Sequence, residues 1–185
     1  TRSLNMDYSW EHFFGKKGSF TLQGNTNISG ADEDTHINRS LEYLRENRTE
    51  TVWQYYDRNN HDLSTQLGAE LEYWLNSKVY LDISDNVTYS RTRTVRDIYT
   101  DNSEENIVGG MPTTPDLANA MGNLMHKWKN SFTLKSTIKP VKSFMIMPKF
   151  NWNVYREKAN YHYGQLDTAA VRTSYTYEPS IFLKW

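Results

Sequence analysis

Alternation of apolar and polar residues with a period of two is the feature that most restricts how this chain can fold. It is cleanest at residues 19–29, where apolar positions such as Phe20 and Leu22 alternate with serine, threonine, glutamine and asparagine. Successive side chains of a β-strand point to opposite faces, so the pattern predicts a strand with one apolar and one polar face. Residues 4–11 alternate in the same way, and Gly15–Gly18 supplies a turn between the two segments. The start of the chain is therefore predicted to be a β-hairpin.

The same pattern recurs along the chain and predicts seven strands. The further predicted segments, in chain order, are Leu63–Leu75 and Val79–Tyr89 around a turn at Asn76–Ser77, Trp128–Ile138 and Phe144–Val154 around a turn at Pro140–Lys142, and a last strand at Tyr175–Trp185. Each pair of segments reads as a hairpin. The fold class predicted from this series is all-β and antiparallel.

The predicted connections alternate in length. Short turns join the strands of each hairpin, whereas the segments 30–60, 92–124 and 156–173 are long and polar. Short turns at one end and long loops at the other are typical of a transmembrane β-barrel, whose short turns face the periplasm and whose long loops are extracellular. For the first long segment two forms stay open: a helical turn capped by Ser40, or strands that continue beyond the membrane.

The apolar segments are too short for spanning helices but suit spanning strands. The longest apolar run is Phe144–Met147, and the mean hydropathy is −0.79. A barrel exposes only alternate residues to lipid, so a low mean hydropathy is compatible with it. The predicted strands of about 11 to 13 residues exceed the ~5–6 of soluble sheets and match the ~9–11 that cross a bilayer. Aromatic residues near the strand ends and charges in mid-strand agree with a membrane barrel, although a soluble sandwich shows the same alternation.

This architecture resembles that of bacterial outer-membrane β-barrels, including porins and TonB-dependent receptors. The ending Ile181–Trp185 is similar to the C-terminal strand of such proteins, which often closes on an aromatic residue. The resemblance implies the bacterial outer membrane as the location. Because bacterial single-chain barrels have an even number of strands, seven predict further strands upstream. Residues 1–185 are thus expected to be the C-terminal portion of a single larger barrel domain.

Charged residues in mid-strand are the first candidate site. They are predicted to face a lumen, with acidic residues on the earlier strands and basic residues on the later ones: Asp7, Glu11, Glu70, Glu72, Asp82, Lys129, Lys135, Lys139 and Lys149. One interpretation is a transverse field that orients polar solutes in a channel. The alternative is ordinary cross-strand ion pairing inside a filled barrel.

Aromatic residues in the long connections are the second candidate site. Their rings are expected to stack on sugar or aromatic ligands, or to pack between loops: Trp53, Tyr55, Tyr56, Tyr161 and Tyr163. Asp32, Glu33, Asp34 and His36 do not fit a calcium loop and are expected to be solvated. The scattered histidines and the absence of a catalytic motif predict no metal, no cofactor and no enzymatic activity.

These features favour a channel or receptor for uptake of small solutes. Two alternatives are a non-transporting barrel that docks a surface lipoprotein or another outer-membrane subunit, and a soluble carbohydrate-binding sandwich. The lipid bilayer is the expected partner. With 21 basic and 22 acidic residues the formal net charge is −1, which predicts no binding to nucleic acid.

Overall fold

The computed structural model describes residues 1–102, 104–109 and 111–185. The strands are β1 Arg2–Phe13, β2 Gly18–Tyr43, β3 Arg48–Asn76, β4 Val79–Asp101, β5 Ile107–Val108, β6 Met111–Pro112, β7 Met121–Val141, β8 Phe144–Tyr163 and β9 Leu166–Lys184, with one 3₁₀ turn at Glu104–Asn106. Seven of them form one antiparallel sheet in the order β1-β2-β3-β4-β7-β8-β9, and β5 pairs with β6. The prediction of seven long antiparallel strands is confirmed.

The turns at one end of the sheet are short, as predicted, and lie within two residues of their predicted positions. The first is closed by the Phe14 N–H donating to the Gly18 carbonyl over 2.8 Å, and Gly15 has a φ of +62°. That left-handed conformation strains most other residues, which explains glycine at this position. At the second turn the Asn76 side-chain oxygen accepts hydrogen bonds from the N–H groups of Lys78 and Val79 at 2.8 and 3.0 Å. We call this end of the sheet the short-turn end.

At the opposite end the strands are longer than the alternation indicated. The long polar segments predicted at 30–60 and 156–173 are mostly strand and not loop, because β2 pairs with β3 without interruption from Gly18 to Tyr43 and β8 pairs with β9 up to Tyr163 and Leu166. Tight turns close both hairpins, with Asn47 at a φ of +49° in the first and Gly164 at +58° in the second. Of the two forms considered for residues 30–60, continuing strands are found and a helical turn at Ser40 is not. The strands continue because cross-strand hydrogen bonds hold polar residues in a ladder as well as apolar ones.

Among the connections in the described part of the chain, only the one between β4 and β7 is long. It contains the 3₁₀ turn and the β5–β6 pair, and it follows the outer edge of β4 for a short distance. The Thr100 N–H donates to the Thr114 carbonyl over 3.0 Å, and the Asp116 N–H donates to the Ile98 carbonyl over 2.7 Å. Ile98 is only 5% exposed, and β6 contacts β3. The connection therefore packs against the sheet.

The cross-strand register divides the sheet into two faces, because directly paired residues point to the same side. The apolar face carries the row Leu4, Ile28, Leu63, and the polar face carries the row Asn5, Asn27, Ser64. Large hydrophobic side chains on the apolar face are open to the surroundings, with Leu67 49% and Trp10 54% exposed.

No second layer covers the apolar face within the described part of the chain. Among all the described residues, the only buried hydrophobic ones are Ile98 and Ala159. The soluble sandwich, which requires two packed sheets, is not what the structure shows. Among the described residues, no helix has the length and apolarity to cross a membrane. The first and last strands of the seven-stranded sheet are not paired with each other, so the sheet is open.

Candidate functional site

The predicted mid-strand charges all lie on the polar face. Register places Asp7 in one row with Gln66 and Lys129, and Glu11 two rows further along the same face with Glu70. The row nearest the short-turn end brings the two signs together. Along β3, β4, β7 and β8 it runs Glu72, Asp82, Lys135 and Lys149, each directly paired with the next.

The two signs meet between β4 and β7, where the structure contains one ion pair. The Lys135 Nζ lies 2.8 Å from Asp82 Oδ2, and the two side chains are 46% and 14% exposed. On the acidic side of this pair, Glu72 accepts a hydrogen bond from the Tyr80 hydroxyl. On the basic side, Lys149 is directly paired with Lys135, so two like charges are adjacent. The interpretation of the mid-strand charges as cross-strand ion pairs therefore holds for Asp82 and Lys135, where the acidic and basic strands meet.

The other predicted charges have no ion-pair partner within the described residues. Glu11, Glu70, Lys129 and Lys149 belong to no salt bridge there, and Lys139 lies with its Nζ 5.7 Å from the centre of the Trp74 ring. Asp7 accepts a hydrogen bond from the neutral amide of Asn25. A polar face with separated acidic and basic regions is what the structure shows. That this face lines a lumen stays a prediction.

The aromatic candidates lie on strands, so the prediction that they are loop residues is wrong, and their role in ligand binding stays a prediction. Trp53, Tyr55 and Tyr56 are on β3, and Tyr161 and Tyr163 are at the end of β8. Trp53 and Tyr55 project from the side of the sheet that continues the apolar face. Tyr56, Tyr161 and Tyr163 project from the side that continues the polar face. They do not form one site.

Tyr55 instead belongs to a ladder of rings across three strands. His36, Tyr55 and Tyr99 are directly paired, with ring centroids 4.9 Å and 5.7 Å apart. The Tyr55 hydroxyl donates to Asp34 over 3.0 Å, and burial together with that bond raises the pKa of the Tyr55 hydroxyl. On the other side of β3, the Arg96 guanidinium lies 5.8 Å from the centre of the Tyr56 ring. These contacts stiffen the part of the sheet that β2, β3 and β4 form beyond residues 30, 61 and 92, which we call the extension.

The row next to this ladder consists of three aspartates, a feature that the sequence analysis missed. Asp34, Asp57 and Asp97 are directly paired across β2, β3 and β4. Burial raises the pKa of the Asp57 carboxyl above its usual range, and the carboxylates of Asp34 and Asp97 raise it further. No group of metal-ligating residues is found in the described part of the chain. Only the register of the strands reveals the row, since its members are far apart in sequence.

The long connection joins the extension to the end of β8. Asn102 Nδ2 donates to Glu50 over 3.1 Å, and Thr114 Oγ1 donates to Asp101 over 2.6 Å. At its other end, the Gly164 N–H donates to the Ala120 carbonyl over 2.9 Å, next to the Tyr163 hydroxyl, which lies 3.4 Å from Asn119. Hydrogen bonds thus hold the long connection to the extension at its start and to the turn between β8 and β9 at its end.

Comparison with known proteins supports the fold. No family model matches the chain, and no curated protein matches it. Among solved structures, the chain is similar to the ferric citrate transporter FecA in its unliganded form, with 11% identity and a TM-score of 0.53, over 98% of this chain and 24% of FecA.

Two further solved structures are similar at lower scores. The ferric-catecholate import receptor Fiu of E. coli K12 has 12% identity and a TM-score of 0.42, over 98% of this chain and 32% of Fiu. The siderophore receptor PiuA of Acinetobacter baumannii has 10% identity and a TM-score of 0.43, over 98% of this chain and 29% of PiuA. The chain spans about a quarter to a third of the length of these proteins. The likeness to FecA confirms the fold class: an antiparallel segment of a transmembrane-type β-barrel.

Proposed function

We propose that this chain forms part of the wall of an outer-membrane barrel that admits a small solute. The apolar face contacts lipid, the polar face lines the lumen, and the extension projects to the outside. The observation that carries the proposal is the separation of an apolar from a polar face, which is interrupted in mid-strand by Asp85 and Asn130 and toward the extension by basic residues. An uncovered apolar face stands opposite a face with isolated charges, an arrangement that suits lipid on one side and water on the other.

The dimensions of the apolar face support membrane insertion. On β3 the apolar face runs from Leu63 to Tyr73, about 33 Å along the strand at ~3.3 Å per residue. A tilt of about 40° reduces this to ~25 Å, the height of the apolar band of known barrels. Aromatic side chains border it toward the extension, including the directly paired Tyr89 and Trp128, as expected for an interfacial belt. Other aromatic residues near the strand ends, Trp74, Tyr80 and Tyr155, lie on the polar face and do not contribute to this belt.

The solute class is proposed at a coarse level. FecA is a ferric citrate transporter, Fiu imports ferric catecholate and PiuA is a siderophore receptor. For this chain, we infer uptake of a small polar or charged solute, because the lumen-side charges are separated by sign and mostly unpaired. Such an arrangement orients a dipolar or charged solute across the pore.

The test is conductance of the full-length protein reconstituted in planar bilayers. Lys129→Gln combined with Lys149→Gln removes two unpaired positive charges from the polar face. We expect the ratio of anion to cation permeability to fall at least twofold, because anions lose their attraction to the basic wall. The matched control removes two positive charges from the first short turn, Lys16→Gln with Lys17→Gln, and should leave the ratio unchanged.

Two outcomes would contradict the proposal. A protein that stays soluble without detergent, and shows no heat-dependent shift on a denaturing gel, is not a membrane barrel. A membrane-inserted protein that passes neither ions nor labelled solutes is not a channel or uptake receptor. The second outcome would favour the docking alternative, which has one structural feature behind it: the extension is an ordered sheet that offers a partner a fixed surface. An expected partner is then a surface lipoprotein or another outer-membrane subunit.

A further inference from the structure

A cluster of basic residues occupies the apolar face just beyond the aromatic belt. Three consecutive rows contain it, and register gives their order across β3, β4, β7 and β8. The rows read Thr65, Tyr89, Trp128, Arg156, then Leu63, Arg91, His126, Lys158, then His61, Arg93, Leu124, Asn160. We call Arg91, Arg93, Arg156 and Lys158, with His61 and His126, the basic patch.

The basic patch has no carboxylate within its own rows. Among the described residues, no salt bridge involves any of its arginines or its lysine. In the row beyond it, the two carboxylates already have partners: Asp32 accepts from Asn59 over 2.8 Å, and Asp167 lies 2.6 Å from His162. Asp85, on the other side of the belt, accepts from Asn130 over 2.6 Å. The positive charge of the patch is therefore not neutralised by this face of the sheet.

The side chains of the patch are available to a ligand. Arg91, Arg93, Arg156 and Lys158 are all exposed. A depression of about 270 Å³ has Arg91, Arg93 and His61 in its wall, and a second of about 480 Å³ lies between Arg93 and His162. His126 is held by a 2.8 Å hydrogen bond between its Nδ1 and the Tyr89 hydroxyl, which joins the patch to the belt. The patch thus borders two open depressions next to the aromatic belt, whose linings also include one aspartate each, Asp62 in the first and Asp167 in the second.

This position identifies the chemistry of the ligand. Aromatic side chains of the belt lie at the level of lipid headgroups, and the hydrocarbon lies below them. The patch therefore lies at the level of the lipid headgroups, on the surface that faces lipid. Arginine side chains bind phosphate oxygens in a bidentate manner, and unpaired basic residues at a membrane surface attract anionic lipid.

We propose that the basic patch binds the phosphate groups of a phosphorylated lipid in the leaflet nearest the extension. This inference rests on the proposed membrane orientation of the two faces. A lipid is favoured over free phosphate because the patch borders the apolar band, so a lipid gains contacts for both its headgroup and its chains. Binding would anchor the barrel at a fixed depth on the extension side.

The experiment measures lipid bound to the full-length protein in phosphatidylcholine vesicles containing lipid A, with dephosphorylated lipid A in parallel. The triple variant Arg91→Gln, Arg93→Gln, Lys158→Gln tests the patch. Each cation near an anionic surface contributes about a fivefold increase in binding, so the triple variant should retain about a hundredth of the lipid A binding. The control, Arg39→Gln with Arg172→Gln, removes exposed positive charges from the polar side and should bind as the parent does.

Lipid A binding that falls in the triple variant, and that requires the lipid's phosphates, supports the inference. Equal binding by parent and triple variant, with both showing the heat-dependent shift, overturns it and leaves the barrel proposal standing. Failure of the parent itself to insert into vesicles overturns the barrel proposal instead. If free pyrophosphate competes as strongly as lipid A, the patch is an anion site and the lipid assignment is wrong.

Discussion

The assignment of the apolar face to lipid makes a depth-dependent prediction for a single residue. Leu67 lies at the middle of the apolar face on β3, between Gly24 on β2 and Val87 on β4, and is 49% exposed. Leu67→Arg would place a charge near the bilayer midplane. In barrels of this kind that position costs ~2–4 kcal/mol, because the guanidinium loses its water.

Two companion substitutions give the expected profile. Leu71 lies four residues closer to the short-turn end, about 13 Å along the strand at ~3.3 Å per residue. A tilt of about 40° makes this ~10 Å in depth, close to the edge of the apolar band, where arginine costs ~0–1 kcal/mol. Gln66→Arg has nearly the same depth as Leu67→Arg but points to the polar face, where water reaches the new charge.

The assay is denaturant titration of the full-length protein folded into lipid vesicles, with the free energy of unfolding extrapolated to zero denaturant. We expect a large loss for Leu67→Arg, and changes below about 1 kcal/mol for Leu71→Arg and Gln66→Arg. Equal losses at Leu67 and Gln66 would refute the assignment of faces. A loss at Leu71 as large as that at Leu67 would instead refute the position of the midplane.

Three further expectations concern the sheet itself. Because the folded-state pKa of Asp57 is raised, the extension loses stability as pH rises through that pKa and gains stability as pH falls. Asp57→Asn removes the carboxylate and should slow amide exchange in β3 at neutral pH. Unchanged exchange would contradict this expectation. Gly24→Val should destabilise the β1–β2 pair by about 1–3 kcal/mol, since an added side chain meets the ring of Tyr8; thermal unfolding would show it, and a neutral effect would mean that the ring moves freely. A double-mutant cycle on Asp82 and Lys135 should give a coupling of about 0.2–1 kcal/mol, because the lysine is 46% exposed; a coupling above that range would show a drier polar face than the structure implies.

The sequence predicts the two-faced part of this sheet well, for a physical reason. Where one face meets an apolar surrounding and the other meets water, residue type must alternate, and the segments from Phe20 to Ile28 and from Leu63 to Tyr73 show it. The short turns are also readable, because Gly15 and Asn76 are suited to the backbone that a tight turn requires.

The extension is not predictable in the same way. Beyond residue 30 both faces carry polar residues, so residues such as Asp32, Thr35 and Asn38 show no alternation although they lie in a regular strand. The contacts that matter there depend on which residues face each other across strands. The ring ladder of Tyr55 and the row containing Asp57 follow from register alone, and no spacing within one segment reveals them.

The order of the strands has a consequence for assembly. Every neighbour in the main sheet is also the next long strand in sequence, with β4 and β7 separated only by the long connection that packs against the sheet. Each β-hairpin can therefore join the growing edge of the sheet without waiting for distant parts of the chain, which keeps the entropy lost in closing each loop small. Insertion or loss of a whole hairpin would leave the register of the other strands intact and change only the circumference. Such a wall can vary in width through evolution while the chemistry of each hairpin is conserved.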